Sequence, residues 1–116
     1  MESRSLSDYL ASFIIKEDKS CTLGEVSEDI YRALQEDRIH FIFKNNELIG
    51  FCTWLEIIKQ EELFIFINNL YVHPTERTLT NLMPVRKFFR EKFPQARMFY
   101  WHSRKHDRFF YVKGEK

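Results

Sequence analysis

The stretch from Leu63 to Phe93 constrains the fold more than any other part of the chain. An apolar run, Leu63–Val72, passes through His73-Pro74 into a polar loop and then into an amphipathic segment, Asn81–Phe93. The first part is apolar nearly throughout, which predicts a central strand covered on both faces. In the last part Leu82, Val85, Phe88 and Phe89 fall on one side of a helix. Pro84 suits its first turn, and Pro94 stops it. A strand that feeds a helix start is a common way to build an anion site, because the first helical N–H groups lack backbone partners.

The rest of the chain supplies partners for that unit. Leu6, Tyr9, Leu10, Phe13 and Ile14 repeat at three-four spacing and predict a helix over Ser5–Ile15, with Ser5 or Ser7 as its cap. Leu23–Gln35 repeats the pattern, with Thr22 as cap and Glu25 three residues on, as a capping box requires. The period then changes. Ile39–Lys44, the Asn45-Asn46 turn and Leu48–Ile58 predict a β-hairpin. Met98–His102 and Phe109–Lys113 predict two last strands around the charged turn Arg104-Lys105-His106-Asp107. The expected architecture is α/β (or α+β): a mixed, mostly antiparallel sheet of about five strands with helices on both faces. It forms one domain over residues 1–116.

Composition narrows the function classes. The chain has 116 residues, 3 Gly, 3 Pro and 12 Phe, which argues against disorder and against a loop-rich disulfide scaffold. Cys21 and Cys52 have no metal or redox spacing, and Cys52 reads as a small buried hydrophobe. No leader-like segment and no apolar run near the ~20 residues of a membrane span is present, so a cytoplasmic protein without membrane contact is expected. Charge is lopsided: residues 1–76 carry 7 Lys/Arg and 14 Asp/Glu, and residues 77–116 carry 11 and 3. Either the halves neutralise each other across the fold, or the basic third meets an anionic cofactor or a polyanion.

The run Ile67-Asn68-Asn69-Leu70-Tyr71-Val72-His73-Pro74-Thr75-Glu76-Arg77 resembles the cofactor segment of the GNAT superfamily of N-acetyltransferases, Ile-x-Asn-Leu-x-Val-x-Pro-x-x-Arg-Gly-x-Gly-x-Gly. The resemblance holds through Arg77 and then breaks, with Thr78, Thr80 and Leu82 where the family has glycines. It implies that Leu70, Tyr71 and Val72 hold the pantetheine arm of acetyl-CoA or another acyl-CoA. Arg77, Thr78, Leu79, Thr80, Asn81 and Leu82 would then face the pyrophosphate. It also implies an unknown amine as acyl acceptor. The family's helix after the following strand is missing, so the fold would be a C-terminally truncated version. A compact chain of this kind would suit a phage or mobile-element genome. Phe51-Cys52-Thr53-Trp54 and Arg90-Glu91-Lys92-Phe93-Pro94 are faintly similar to segments of the toxin-activating lysine acyltransferases, which share the fold.

Glycines let a backbone approach phosphate and take φ > 0; threonines are stiffer but offer hydroxyls. The loop therefore either binds phosphate less tightly or is an ordinary cap in which Thr80 or Asn81 holds the helix. Acyl transfer to an amine also needs a proton acceptor. The position where several family members carry a glutamate is Phe66 here. The remaining candidates are His102, at a strand end beside the expected cleft, and Glu56, each with a plain surface or packing role as the alternative. His73 lies in a turn where histidine is frequent without catalysis, and Tyr100 is a candidate acid or a core residue. His102 and His106 lack a third ligand, so no metal site is expected. The C-terminal alternation of Tyr100, Trp101, Phe109, Phe110 and Tyr111 with Arg104, Lys105, Arg108, Lys113 and Lys116 could bind single-stranded nucleic acid, or simply close the core. Two function classes emerge. One is an acyl-CoA-dependent N-acyltransferase-like protein of weak or lost activity. The other is a non-catalytic module that uses its basic C-terminal face for a protein or nucleic acid.

Overall fold

In the computed structural model, which describes residues 3–103 and 108–113, the order is α1 (Ser3–Glu17), α2 (Leu23–Gln35), β1 (Ile39–Lys44), β2 (Glu47–Lys59), β3 (Glu62–Val72), a 3-10 turn (Pro74–Glu76), α3 (Leu79–Lys92), β4 (Met98–Ser103) and β5 (Arg108–Lys113). The five strands form one sheet in chain order, β1-β2-β3-β4-β5, so β3 is central as its apolar run requires. Every neighbouring pair is antiparallel except β3 and β4, which run parallel because α3 carries the chain back along the sheet.

Helices cover both faces. Val85, Phe89 and Phe93 pack with Cys52, Trp54, Ile65, Ile67 and Val72 on one side, with Leu82 and Phe88 against the same cluster. Trp54 meets Phe88, Phe89 and Phe93 edge-on at 5.7, 5.2 and 5.9 Å between centroids. The other side joins Leu10, Ala11 and Ile14 of α1 and Val26 and Ile30 of α2 to Phe51, with Tyr71 and Phe41 against them. Between α1 and α2 a buried polar contact replaces the expected cap: Ser7 is 3.1 Å from the Ser27 hydroxyl, which donates to Asp8 at 2.5 Å. The helix starts before Ser5 and Ser7, so neither caps it. Thr22 does cap α2, accepting from the Glu25 N–H at 3.2 Å.

Two irregularities shape the sheet. In β2 the pairing with β1 shifts between Ile42 and Phe43, which inserts Ile49 as an extra residue. In β3 the pairing with β2 shifts at Thr53/Trp54, from Thr53↔Asn69 to Trp54↔Ile67, which inserts Asn68. Strand side chains alternate faces, so each insertion exchanges the faces downstream. Ile65 and Ile67 lie under α3, and beyond Asn68 so does Val72, at an offset regular alternation forbids. Asn45-Asn46 turns the first hairpin with φ of 51° and 68°, and Gln60-Glu61 the second with 54° and 65°.

Gly50 pairs with both Ile42 and Val72, and a Cβ there would collide with the carbonyl oxygen of Tyr71. The clash is with backbone, so relief must move β3. Gly50→Ala is expected to lower stability by about 2 kcal/mol, read as a lower urea midpoint at unchanged m-value. An unchanged midpoint would mean that the β2–β3 contact is looser than described.

Candidate functional site

The chemistry-bearing end of the sheet is where β3 loses one neighbour. Its pairing with β4 ends at Ile67↔Trp101, whereas its pairing with β2 continues to Gly50↔Val72. Beyond Ile67, β3 therefore keeps a ladder on one side only, and a gap opens between its carboxyl end and β4. The carboxyl ends of parallel strands, where neighbours diverge, are the usual place for a ligand crevice in an open α/β sheet.

The loop from β3 to α3 leaves from this end of β3. His73 N–H donates to the Ile49 carbonyl at 2.7 Å, and the His73 ring accepts from the Thr75 N–H at 3.3 Å, which caps the short turn. Thr78, not Thr80 or Asn81, caps α3: its hydroxyl accepts from Asn81 N–H at 3.3 Å, and its carbonyl from Leu82 N–H at 3.1 Å. The N–H groups of Leu79 and Thr80 remain as first-turn donors with no acceptor inside the helix. Because α3 begins at Leu79, Pro84 falls inside it rather than in its first turn. No residue from His73 to Leu82 has positive φ, and Thr78 sits at φ −116°. The loop takes a path that asks for no glycine.

Its charges are already engaged. Arg77 Nε donates to the Val72 carbonyl at 2.7 Å, and its guanidinium pairs with Glu17 at the end of α1 and lies 5.8 Å from the Tyr71 ring centre. Glu76 accepts from Lys44 at 2.9 Å and from Asn81 Nδ2 at 3.1 Å. The hydrogen bond from Lys44, more than any other neighbour, holds its carboxyl below the usual range. The helix start thus carries one carboxylate of its own, and Arg77 is shared with another.

The expected site residues fall in several places. Leu70 is exposed on the α3 side; Tyr71 packs on the α1 side against Phe13 at 5.2 Å; Val72 is buried. Leu79 is 77% exposed and Thr80 is exposed, whereas Leu82 leans into the core where a glycine could not. Glu56 is exposed and level with Ile65, three residues short of the bulge, or about 10 Å along the strand. The structure does not bring it to the gap. The backbone of His102 lies one residue past the last β3–β4 pair; its side chain, with those of Tyr100, Trp101 and the basic C-terminal segment, lies outside the described residues. Among the described residues there is no cluster that could hold a metal ion and no helix long and apolar enough to cross a membrane. A pocket of about 280 Å³ lined by Glu61, Glu62, Leu63, Gln95 and Arg97 sits at the opposite end of β3, away from the gap.

Three contributors, Glu17, Gly50 and Thr53, carry no motif that would single them out from sequence. The one available signal is the apolar phase in β3, which runs 65, 67 and then 70, 72; such a break marks an inserted residue.

Burial pushes the Cys52 thiol up to about 12. Of the two cysteines, Cys21 alone is expected to react with Ellman's reagent in the native protein at pH 8, and both after denaturation. Two fast native thiols would contradict the burial of β2. His40 stacks on Phe88 at 3.9 Å, and desolvation lowers its pKa. The unfolded chain then binds the proton more readily, so stability falls as pH drops through about 6.5 and levels off once the folded form titrates. His40→Phe should flatten that slope in urea titrations from pH 7.5 to 5; an unaltered slope would remove His40 as its cause.

No protein-family model and no curated protein sequence matches the chain. Solved structures do. A possible acetyltransferase from Clostridium difficile 630 superposes with a TM-score of 0.63 at 14% identity, over 86% of this chain and 74% of that one. A predicted acetyltransferase from Clostridium acetobutylicum, solved with acetyl-CoA, gives 0.64 at 13%, over 93% and 80%. Tetrahymena GCN5 gives 0.63 at 16%, over 88% of this chain but 63% of its own. At such identities the likeness speaks for architecture. With its diverging parallel pair, α3 crossover and three-strand meander, the chain has the fold of the GNAT acetyltransferases.

Proposed function

We propose that this chain binds an acyl-CoA in the β3–β4 gap and passes the acyl group to an amine. One observation carries the reading: β3 stops pairing with β4 at Ile67 while it continues along β2 to Val72, beside a helix start with two uncommitted N–H donors. The unpaired strand edge offers backbone groups to the amides of a pantetheine arm. Leu79 and Thr80 N–H offer donors to a diphosphate, with Arg77 in reach of the same loop. When bound, the cofactor supplies an acyl group already activated as a thioester. The chain's own task is to orient it, exclude water and accept the ammonium proton. We assign the proton to His102, whose backbone lies at the mouth of the gap; Glu56, exposed and lower on the sheet, has no part in it. The Glu76 carboxylate and the Glu17–Arg77 pair weaken the attraction for phosphate, so affinity should be modest.

Thermal denaturation with coenzyme A tests this. At 100 times its Kd a ligand adds about 2.7 kcal/mol, so a clear rise in Tm is expected. Arg77→Ala should shrink the rise, and Glu17→Gln, which frees the guanidinium at a cost of at most about 1 kcal/mol in stability, should enlarge it. No rise at millimolar coenzyme A, with salt-sensitive retention on a polyanion column, would instead favour the non-catalytic module. His102→Ala should keep the rise yet lose thiol release from acetyl-CoA in the presence of an amine panel. Retained release would take His102 out of the mechanism.

A further inference from the structure

We propose that Thr53 is the positioning residue for the gap, gripping Asn68 and Asn69 together through one hydroxyl and so fixing where β3 leaves β4. The functional consequence rests on the cofactor reading above; the grip itself does not. Thr53 Oγ1 donates to Asn68 Oδ1 at 2.6 Å and accepts from Asn69 Nδ2 at 3.0 Å. In a regular strand consecutive side chains point to opposite faces, so a single neighbouring hydroxyl cannot reach both. It can only where an extra residue is inserted, and Asn68 is that residue. The insertion falls one position after Ile67↔Trp101, the last β3–β4 pair. A bulge bends its strand and increases local twist. Here it turns β3 away from β4 while the ladder to β2 resumes at Thr53↔Asn69.

Burial makes the grip consequential. Thr53 is fully buried and Asn69 is 3% exposed, while Asn69 Oδ1 has no hydrogen-bond partner. An amide kept in the interior half-satisfied is costly, so its one side-chain bond, to Thr53, cannot be lost without leaving the whole group unpaired. The apolar phase of β3 decides that a bulge exists; Thr53 decides the direction in which the strand emerges from it.

The test compares wild type with Thr53→Val, which keeps the shape and removes both bonds, with Thr53→Ser, which restores the hydroxyl, and with Asn68→Ala. The last keeps the Thr53–Asn69 bond, so it guards against simple unfolding of the valine variant. Amide hydrogen exchange over Asn68–Val72 is read without ligand, and coenzyme A affinity by titration. In Thr53→Val exchange should quicken by about tenfold over Asn68–Val72 relative to Ile30 and Val26, and affinity should fall by a similar factor. Thr53→Ser should restore both, and Asn68→Ala should fall between. Wild-type exchange and affinity in Thr53→Val, or failure of serine to rescue, would overturn the proposal. If wild type ignores coenzyme A while the exchange pattern holds, the cofactor reading falls and the grip stands.

Discussion

A β-strand can be hydrogen-bonded on both edges only while its neighbours keep a common direction and twist, and β3 gives up that condition at Ile67. From Phe64 to Ile67 it is paired on both edges, with Ile65 and Ile67 under α3. Downstream it runs along β2 alone. The difference is one residue, Asn68, which changes the local twist and reverses the facing of the residues beyond it. Tyr71 is thereby delivered to α1 and Val72 to α3. Gly50 permits the close approach of β2 that keeps β3 in line after its second neighbour is lost.

The β3–α3 loop reaches its helix start along a path that needs no glycine. Glycine is needed where φ is positive or where backbone must touch a ligand. This loop avoids the first demand, since Thr78 adopts an extended conformation and serves as the helix cap. Two consequences pull in opposite directions. The cap fixes the helix start and leaves Leu79 and Thr80 N–H pointing outward. The same stretch carries a carboxylate, Glu76, and its arginine is paired with Glu17. The sum is a helix start with oriented donors and little net charge.

Much of the fold is legible in the sequence, because long periodic segments announce themselves. The bounds of α2 and β1 match residue for residue, and the central place of β3 comes from its nearly continuous apolarity. The start of α1 is harder to read because Ser5 and Ser7 look like caps, while Ser7 in fact bonds across to Ser27. Thr78 is hidden as a cap because Thr80 and Asn81 lie nearer the apolar periodicity. The site is less legible. Its motif residues can be read off, but Glu17 lies 60 positions from Arg77, and nothing local in sequence ties them. Thr53, too, acts through partners on another strand. Long-range pairings of this kind are set by register, and register depends on bulges that single residues do not advertise.

Whether the unpaired end of β3 is a binding edge decides how the molecule works. A titration of isotopically labelled protein with coenzyme A, followed by amide ¹H–¹⁵N spectra, tests this most directly. A binding edge predicts shifts confined to Asn68–Val72 and to Thr78–Leu82, with the Arg77 side-chain signal moving as its contact with Glu17 changes. Spectra unchanged in both segments at millimolar coenzyme A, or shifts confined to the basic residues of α3, would contradict it.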